Sequence, residues 1–383
     1  MTLKVFVIAG EPSGDRLGGA VMAGLSALAD DVEFRGVGGA AMAEAGLVSQ
    51  FPMSELSLMG IAEILPKYFH LKRRIREVAE AILDWQPDVV VTIDSPDFCL
   101  RVADLVNARS DIRICHYVAP TVWAWRPGRA GKLAKRVDQL LALFPFEPPY
   151  FEKEGLRCDF VGHPVATEEL ASDQEVADFR ARHGIGTEPL VLILPGSRKS
   201  EVWMLAMLFA EAMGHFSLHH PKARYVLPMA QNVENVVRRV VKSDWPVQPI
   251  LIDASDKAEK AAAFRAADVA LAASGTVSLE LAANDTPMVI AYRMNRLTEM
   301  IIKRKLLIDT VTLVNLVSET RVVPEFLGTD CIPQKIAASL SHVLNTGDDQ
   351  RAAMKLTMER LGRGQEDPGL RAARAILDGI AQG

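Results

Sequence analysis

The sequence predicts an α/β fold of two consecutive doubly wound domains, each built on a parallel sheet, and three observations predict it. Short unbroken runs of Val, Ile, Leu and Ala end in Gly, Pro, Asp or Ser; each is followed by a stretch of helical period; and the alternation pauses once, between Gly162 and Pro189, before it resumes. At 383 residues the chain also exceeds what one hydrophobic core usually supports.

In order, the first series of runs is Leu3 to Ala9, Val32 to Val37, Asp88 to Ile93, Ile112 to Val118, Gln139 to Phe144 and Asp159 to Val161. The second is Leu190 to Leu194, Arg224 to Leu227, Pro249 to Ile252, Val269 to Ala273 and Met288 to Ala291. None alternates polar with apolar, as strands covered by helices on both faces should not. The expected domains are 1–166 and 167–345. The remaining 346–383 read as helices that close the second domain, return to the first or pack on a partner chain.

Composition narrows the class. With 49% hydrophobic and 24% charged residues the chain is an ordinary globular protein, and a net charge of -5 gives no reason to expect nucleic acid as a partner. Cys99, Cys115, Cys158 and Cys331 stand singly, which suits a reducing compartment. The start, MTLKVFVIAG, lacks the basic segment and cleavage site of a signal peptide, and no apolar run approaches the ~20 residues of a membrane-spanning helix. The expectation is a cytoplasmic protein whose membrane contact, if any, is peripheral.

Ligands of open α/β sheets bind beyond the carboxyl ends of the strands, so the residues after each run are the candidates. After the first run come Gly10, Ser13 and Gly14, a glycine loop whose amides and following helix could approach an anion; it reads equally as a tight turn capped by Ser13 or Asp15. After the third come Asp94 and Asp97. Asp97 is placed to cap the next helix, and Asp94 is the candidate general base or a turn acceptor. The fourth leads to Trp123 and Trp125, a stacking wall or interface filler, and then to a basic helix with Arg129, Lys132, Lys135 and Arg136.

In the second half, Gly196, Ser197 and Arg198 form a candidate diphosphate site at a helix start, or a capped helix with an exposed Arg. Ser274, Gly275 and Thr276 make a similar turn, with Glu280 one helical turn beyond, able to accept ribose hydroxyls. The histidines show no metal spacing, and neither a Ser-His-Asp nor a Cys-His signature is present, so no metal, no cofactor and no nucleophilic hydrolase is expected.

Taken together, AGEPSGD (9–15), SLMGIAEIL (57–65), TIDSPDF (92–98), HYVAPTVWAWRPGR (116–129), LPGSR (194–198), ASGTVSLE (273–280) and VNL (314–316) resemble the lipid-A-disaccharide synthase family in order and spacing over nearly the whole chain. The resemblance implies the GT-B fold, two Rossmann-like domains facing a central cleft. It also implies metal-independent, inverting transfer of diacylglucosamine from a UDP-diacylglucosamine donor to the 6-hydroxyl of a diacylglucosamine 1-phosphate acceptor. It places Gly196, Ser197 and Arg198 near the diphosphate, Glu280 and Asn315 among the nucleotide contacts, and Ser13 and Asp94 on the catalytic face. Pro12 stands where the family often carries Thr. A UDP-N-acetylglucosamine 2-epimerase and a non-catalytic UDP-sugar-binding protein remain alternatives, and a homodimer is left open.

The implied substrates are acylated, which draws attention to residues 58–76. Ile61, Ile64, Leu65 and Phe69 recur at helical spacing beside Lys72, Arg73, Arg74 and Arg76, so the segment reads either as an ordinary amphipathic helix or as a contact with an anionic inner-membrane surface on its cytoplasmic face.

Overall fold

The computed structural model describes residues 2–56, 61–293 and 306–382, with the side chains of 61–68 and 242–244 outside that description. The chain forms two compact units, residues 1–167 together with 364–383, and residues 168–363.

The first unit carries β1 (Leu3–Ala9), β2 (Val32–Val37), β3 (Val89–Ile93), β4 (Arg113–Tyr117), β5 (Gln139–Ala142) and β6 (Arg157–Phe160), all parallel, in the order β2-β1-β3-β4-β5-β6. Helices α1 (Pro12–Leu28), α2 (Ala40–Glu44), α3 (Ile61–Trp85), α4 (Pro96–Asn107), α5 (Arg129–Leu133) and α6 (Pro148–Glu152) connect them. Strand β1 shows why the sheet is apolar on both faces. Phe6 and Ile8 pack with Val78, Ile82, Val102 and Val106 of α3 and α4, while Val5, Val7 and Ala9 pack on the other face with Val21 and Leu25 of α1. A strand so enclosed has no solvent side, hence the unbroken apolar run.

The second unit carries β7 (Leu190–Leu194), β8 (Arg224–Pro228), β9 (Ile250–Ile252), β10 (Val269–Ala272), β11 (Met288–Tyr292) and β12 (Glu325–Leu327) in the order β9-β8-β7-β10-β11-β12. That is the 3-2-1-4-5-6 order of a Rossmann domain. Its helices are α7 (Asp173–Arg182), α8 (Lys199–His219), α9 (Glu234–Asp244), α10 (Lys257–Ala266), α11 (Val277–Ala283), α12 (Leu313–Ser318), α13 (Pro333–Thr346) and α14 (Asp348–Arg360). Each run read from the sequence is a strand here. Strand β12 was not among them, because three half-buried residues at a sheet edge are too short to show a period.

Residues 346–383 divide between the units at Arg363 and Gly364. Helix α15 (Pro368–Gln382) lies on the first sheet, where Ala372, Ala373 and Ile376 are fully buried. Polar contacts fix its register: Gln139 Nε2 donates to the Ala375 carbonyl at 2.8 Å, Arg371 to the Phe160 carbonyl at 3.0 Å, and Arg157 to Gln382 at 2.7 Å. The crossing with α1 is close because it is made of small residues. A Cβ on Gly369 would lie 2.7 Å from the Ala20 Cβ, and one on Gly24 would lie 2.8 Å from the Gly369 carbonyl oxygen. Gly369→Leu should therefore lift α15 from α1 at a cost of about 1–3 kcal/mol. Thermal unfolding should show an earlier transition and limited proteolysis an earlier loss of the C-terminal helix; an unchanged melt would mean that the crossing adapts without loss.

Candidate active site

In the second unit the strand order reverses between β7 and β10, and the chain leaves both at the same edge. The two are paired with Ala272 opposite Leu194, and Ala273 N–H donates to the Leu194 carbonyl at 2.8 Å. The loops that follow are therefore neighbours. Gly196, Ser197, Arg198, Ser274, Gly275, Thr276 and Glu280 line one cavity of about 410 Å³.

Backbone geometry explains the glycine in the first loop. Gly196 has φ +107°, and a Cβ there would lie 2.6 Å from Glu201 Oε2. Glu201 is the residue sequence reasoning underused. Its carboxylate accepts from the Ser197 and Arg198 amides, each at 3.3 Å, and from the Arg198 guanidinium at 3.3 Å. A built-in anion thus occupies the donors at the start of α8 that the sequence assigned to a diphosphate, and an incoming anion must compete with it. The signal was present, since a Glu three residues after a helix-starting turn is the reciprocal half of a capping box.

Across the cavity, Glu280 pairs with Lys260 Nζ at 2.9 Å, and that ammonium lies 5.1 Å from the Phe264 ring centroid. Lys260 and Phe264 also line the cavity; nothing local in the sequence marks them, because they arrive from α10 through the fold. Asn315 sits apart from this set. It is buried, its Nδ2 donates to the Val323 carbonyl at 2.9 Å and its Oδ1 accepts from Val323 N–H at 3.0 Å, so its amide is engaged in holding the chain before β12.

The first unit repeats the arrangement. Its order reverses between β1 and β3, paired with Ala9 opposite Ile93, so the Gly10 loop and Asp94 emerge side by side. A Cβ on Gly10 would meet Ser95 Oγ at 2.5 Å, and Gly14 is buried beneath Ile93. Ser13 is exposed in the first turn of α1. Asp15, the other candidate cap, instead serves a neighbour: its carboxylate accepts from Gly39 N–H at 2.7 Å, Ala41 N–H at 2.9 Å and Met42 N–H at 3.1 Å, capping α2.

Asp94 and Ser95 both adopt left-handed backbone, φ 49° and 44°. Asp tolerates that region better than most residues, and such conformations concentrate at functional sites. Burial raises the Asp94 carboxyl above the usual carboxylate range, partly offset by a hydrogen bond from the Ser95 backbone. Asp97 does not cap α4 as its position suggested. The N-cap is Ser95, without a side-chain bond, and Asp97 is exposed in the first turn, where its charge favours the helix dipole.

The two tryptophans differ. Trp123 is buried, edge-on to Phe146 with centroids 5.2 Å apart, and its Nε1 donates to Glu147 at 3.2 Å. Trp125 is half-buried, with the Arg126 guanidinium 3.8 Å from its ring centroid.

On α3, Phe69 is 83% exposed, and Lys72, Arg73 and Arg76 face solvent. Arg74 does not join them. It donates to Glu55 at 2.8 and 3.1 Å and to Glu77 at 2.7 Å, and lies 4.3 Å over the Phe51 ring, so it ties α3 to the preceding turn. The side chains of Ile61, Ile64 and Leu65 lie outside the described residues.

Two doubly wound sheets, each with a glycine loop at its switch point, have the architecture of the GT-B glycosyltransferase class. Similarity to known proteins agrees. A family model described as lipid-A-disaccharide synthetase matches residues 5–376. A lipid-A-disaccharide synthase of Ruegeria pomeroyi is 60% identical over 98% of this chain and 95% of its own length; one of Rhodospirillum centenum is 46% identical over 99% and 95%. Among solved structures, a UDP-GlcNAc 2-epimerase from Neisseria meningitidis, bound to UDP-GlcNAc, shares the fold over 100% of both chains with a TM-score of 0.59 at 12% identity. The chain belongs to the lipid-A-disaccharide synthase family.

Because Glu201 holds the loop amides as a competing anion, inorganic diphosphate should bind Glu201→Gln roughly ten-fold more tightly than the unaltered protein, about 1.4 kcal/mol. Titration calorimetry reads this directly. Weaker binding in the variant would show that Glu201 organises the loop for the ligand and does not compete with it.

Proposed function

We propose that the chain transfers a diacylglucosamine unit from its UDP conjugate to the 6-hydroxyl of diacylglucosamine 1-phosphate, with inversion. What supports this reading above all is that the family match spans residues 5–376 and so includes the switch-point loops of both units. The epimerase likeness, at 12% identity, concerns the fold alone.

The second unit would hold UDP. Amides of the Gly196 loop, the dipole of α8 and Arg198 meet the diphosphate, and Glu280 meets the ribose. Asn315 acts from behind by fixing the chain before β12, and Trp125 offers the first unit's stacking face. The first unit would supply the base. The acceptor hydroxyl gives its proton to Asp94, its oxygen bonds to the anomeric carbon, and the carbon–oxygen bond to UDP breaks with its electron pair departing on the diphosphate. Gly10 and Gly14 border the strand end that carries that base, and Ser13 is exposed in the helix turn between them. Incubation with the UDP conjugate separates the readings: transfer consumes donor only when acceptor is present, an epimerase converts donor alone, and a sensor converts nothing.

Burial makes Asp94 a stronger base than a solvated carboxylate, with a consequence for stability. A carboxyl whose folded pKa is raised binds more protons folded than unfolded, so stability falls as pH climbs from the unfolded value through the folded one. Asp94→Asn should therefore reduce kcat by roughly 10²–10⁴-fold while leaving UDP affinity and the melting temperature at pH 8 undiminished. The acid limb of kcat/KM in the unaltered protein should lie above the ~3.9 of a free Asp. Near-normal turnover in the Asn variant would move the base elsewhere.

Acylated substrates reside in a bilayer. Among the described residues no helix is long and apolar enough to cross one. We assign surface binding to the exposed face of α3, where Phe69 stands beside Lys72, Arg73 and Arg76, on the cytoplasmic side of the inner membrane; each basic residue near an anionic surface contributes roughly 1 kcal/mol. Changing Lys72, Arg73 and Arg76 together to Glu should abolish salt-sensitive sedimentation with anionic vesicles while the melting temperature holds, since Arg74 and its pairs with Glu55 are left in place. Unchanged sedimentation would refute the assignment.

A further inference from the structure

A second cavity, of about 370 Å³, lies within the first unit between α4 and α5, beyond the carboxyl end of β4. Arg101, Arg129, Lys132 and Arg136 line it against Asp97 and Asp104. Arg136 donates to Asp104 at 2.7 Å, which accounts for one pair. Among the described residues Arg101 and Lys132 have no ion-pair partner, and the Arg129 guanidinium lies 6.0 Å from the Trp125 ring centroid. Three cations therefore converge on a space whose remaining carboxylate is Asp97.

The cavity also reaches His116, which is 2% exposed. Its Nδ1 lies 2.8 Å from Thr92 Oγ1, while the hydroxyl's other acceptor, the Cys115 carbonyl, is 3.5 Å away. With Nδ1 engaged by that hydroxyl, Nε2 is the ring nitrogen left for the cavity. Burial holds His116 neutral, its pKa lowered to about 4, so the ring offers a polar atom without adding charge.

We propose that this cavity is a phosphomonoester subsite that takes the 1-phosphate of the acceptor sugar, with Arg101, Arg129 and Lys132 on the phosphate oxygens and His116 beneath. The proposal rests on the acceptor reading given above. Its position suits that ligand. His116 is the register partner of Thr92, two residues before Asp94, so the backbone positions carrying the cavity floor and the base are about 8 Å apart by strand spacing, the scale of one hexose. A sugar whose phosphate lies here presents the far side of its ring, with the 6-hydroxyl, toward Asp94.

The test compares the acceptor with the same diacylglucosamine lacking its phosphate. Arg101→Ala and Lys132→Ala should each raise KM for the phosphorylated acceptor roughly ten- to a hundred-fold, leave KM for the donor unchanged, and have little effect on the dephosphorylated acceptor. Lys132→Arg should restore part of the loss, and an unchanged melting temperature shows that the fold persists. Equal losses on both acceptors, or no change in KM, would overturn the subsite. Lost binding to vesicles of anionic lipid with acceptor KM intact would overturn it too, assigning the cations to lipid headgroups. Absence of disaccharide from the unaltered protein would instead strike the functional reading itself.

Discussion

Parallel strand pairing at a point of reversal is the constraint from which the rest follows. Where β1 meets β3, and again where β7 meets β10, the strand order reverses, so the loops leaving two paired strands emerge side by side at the carboxyl edge of the sheet. The backbone donors at the following helix starts are then available to something other than the chain's own ladder. In the second unit the chain answers with Glu201, whose carboxylate meets the Ser197 and Arg198 amides. The site is thus shaped around an anion even when only a side chain supplies it.

The first unit uses the same constraint differently. Its reversal point brings a carboxylate where the second unit brings amides, and Asp94 is held there by left-handed backbone and burial. Both features oppose stability, one through strain and the other through desolvation of the charged form. A carboxylate relaxed into water would be more comfortable and a weaker base. The neighbouring Asp15 shows the contrast: more deeply buried, it accepts three amides and serves architecture.

The return of α15 to the first sheet ties the two ends of the chain together. Strands β1, β3 and β4 need an apolar cover on both faces, and Val5, Val7, Val91 and Cys115 share a core with Ala372, Ala373 and Ile376. Small residues at Gly24 and Gly369 let α15 approach α1 closely enough to complete that cover. The support beneath the Asp94 edge of the sheet therefore includes residues more than 270 positions later in sequence, as the cluster from Val91 to Ile376 shows.

The sequence by itself determined the strands, their burial on both faces and the loops where ligands bind, because apolar runs and glycine turns are local features recorded in consecutive residues. Gly196, Ser274 and Glu280 were legible for that reason, and the structure brings them to one cavity. Only the tertiary structure decided what depends on partners distant in sequence. Trp123 and Trp125 look alike in the chain, yet one is buried against Phe146 and Glu147 and the other is half-buried under Arg126. Arg73 and Arg74 are adjacent and identical, yet Glu55 binds Arg74 and leaves Arg73 in solvent. Asp97 failed as a cap because the chain turns two residues earlier, at Ser95, and Lys260 reached the cavity only when α10 packed beside β7. A residue's type fixes what it can bond, and the packing of remote elements fixes which bond it finds.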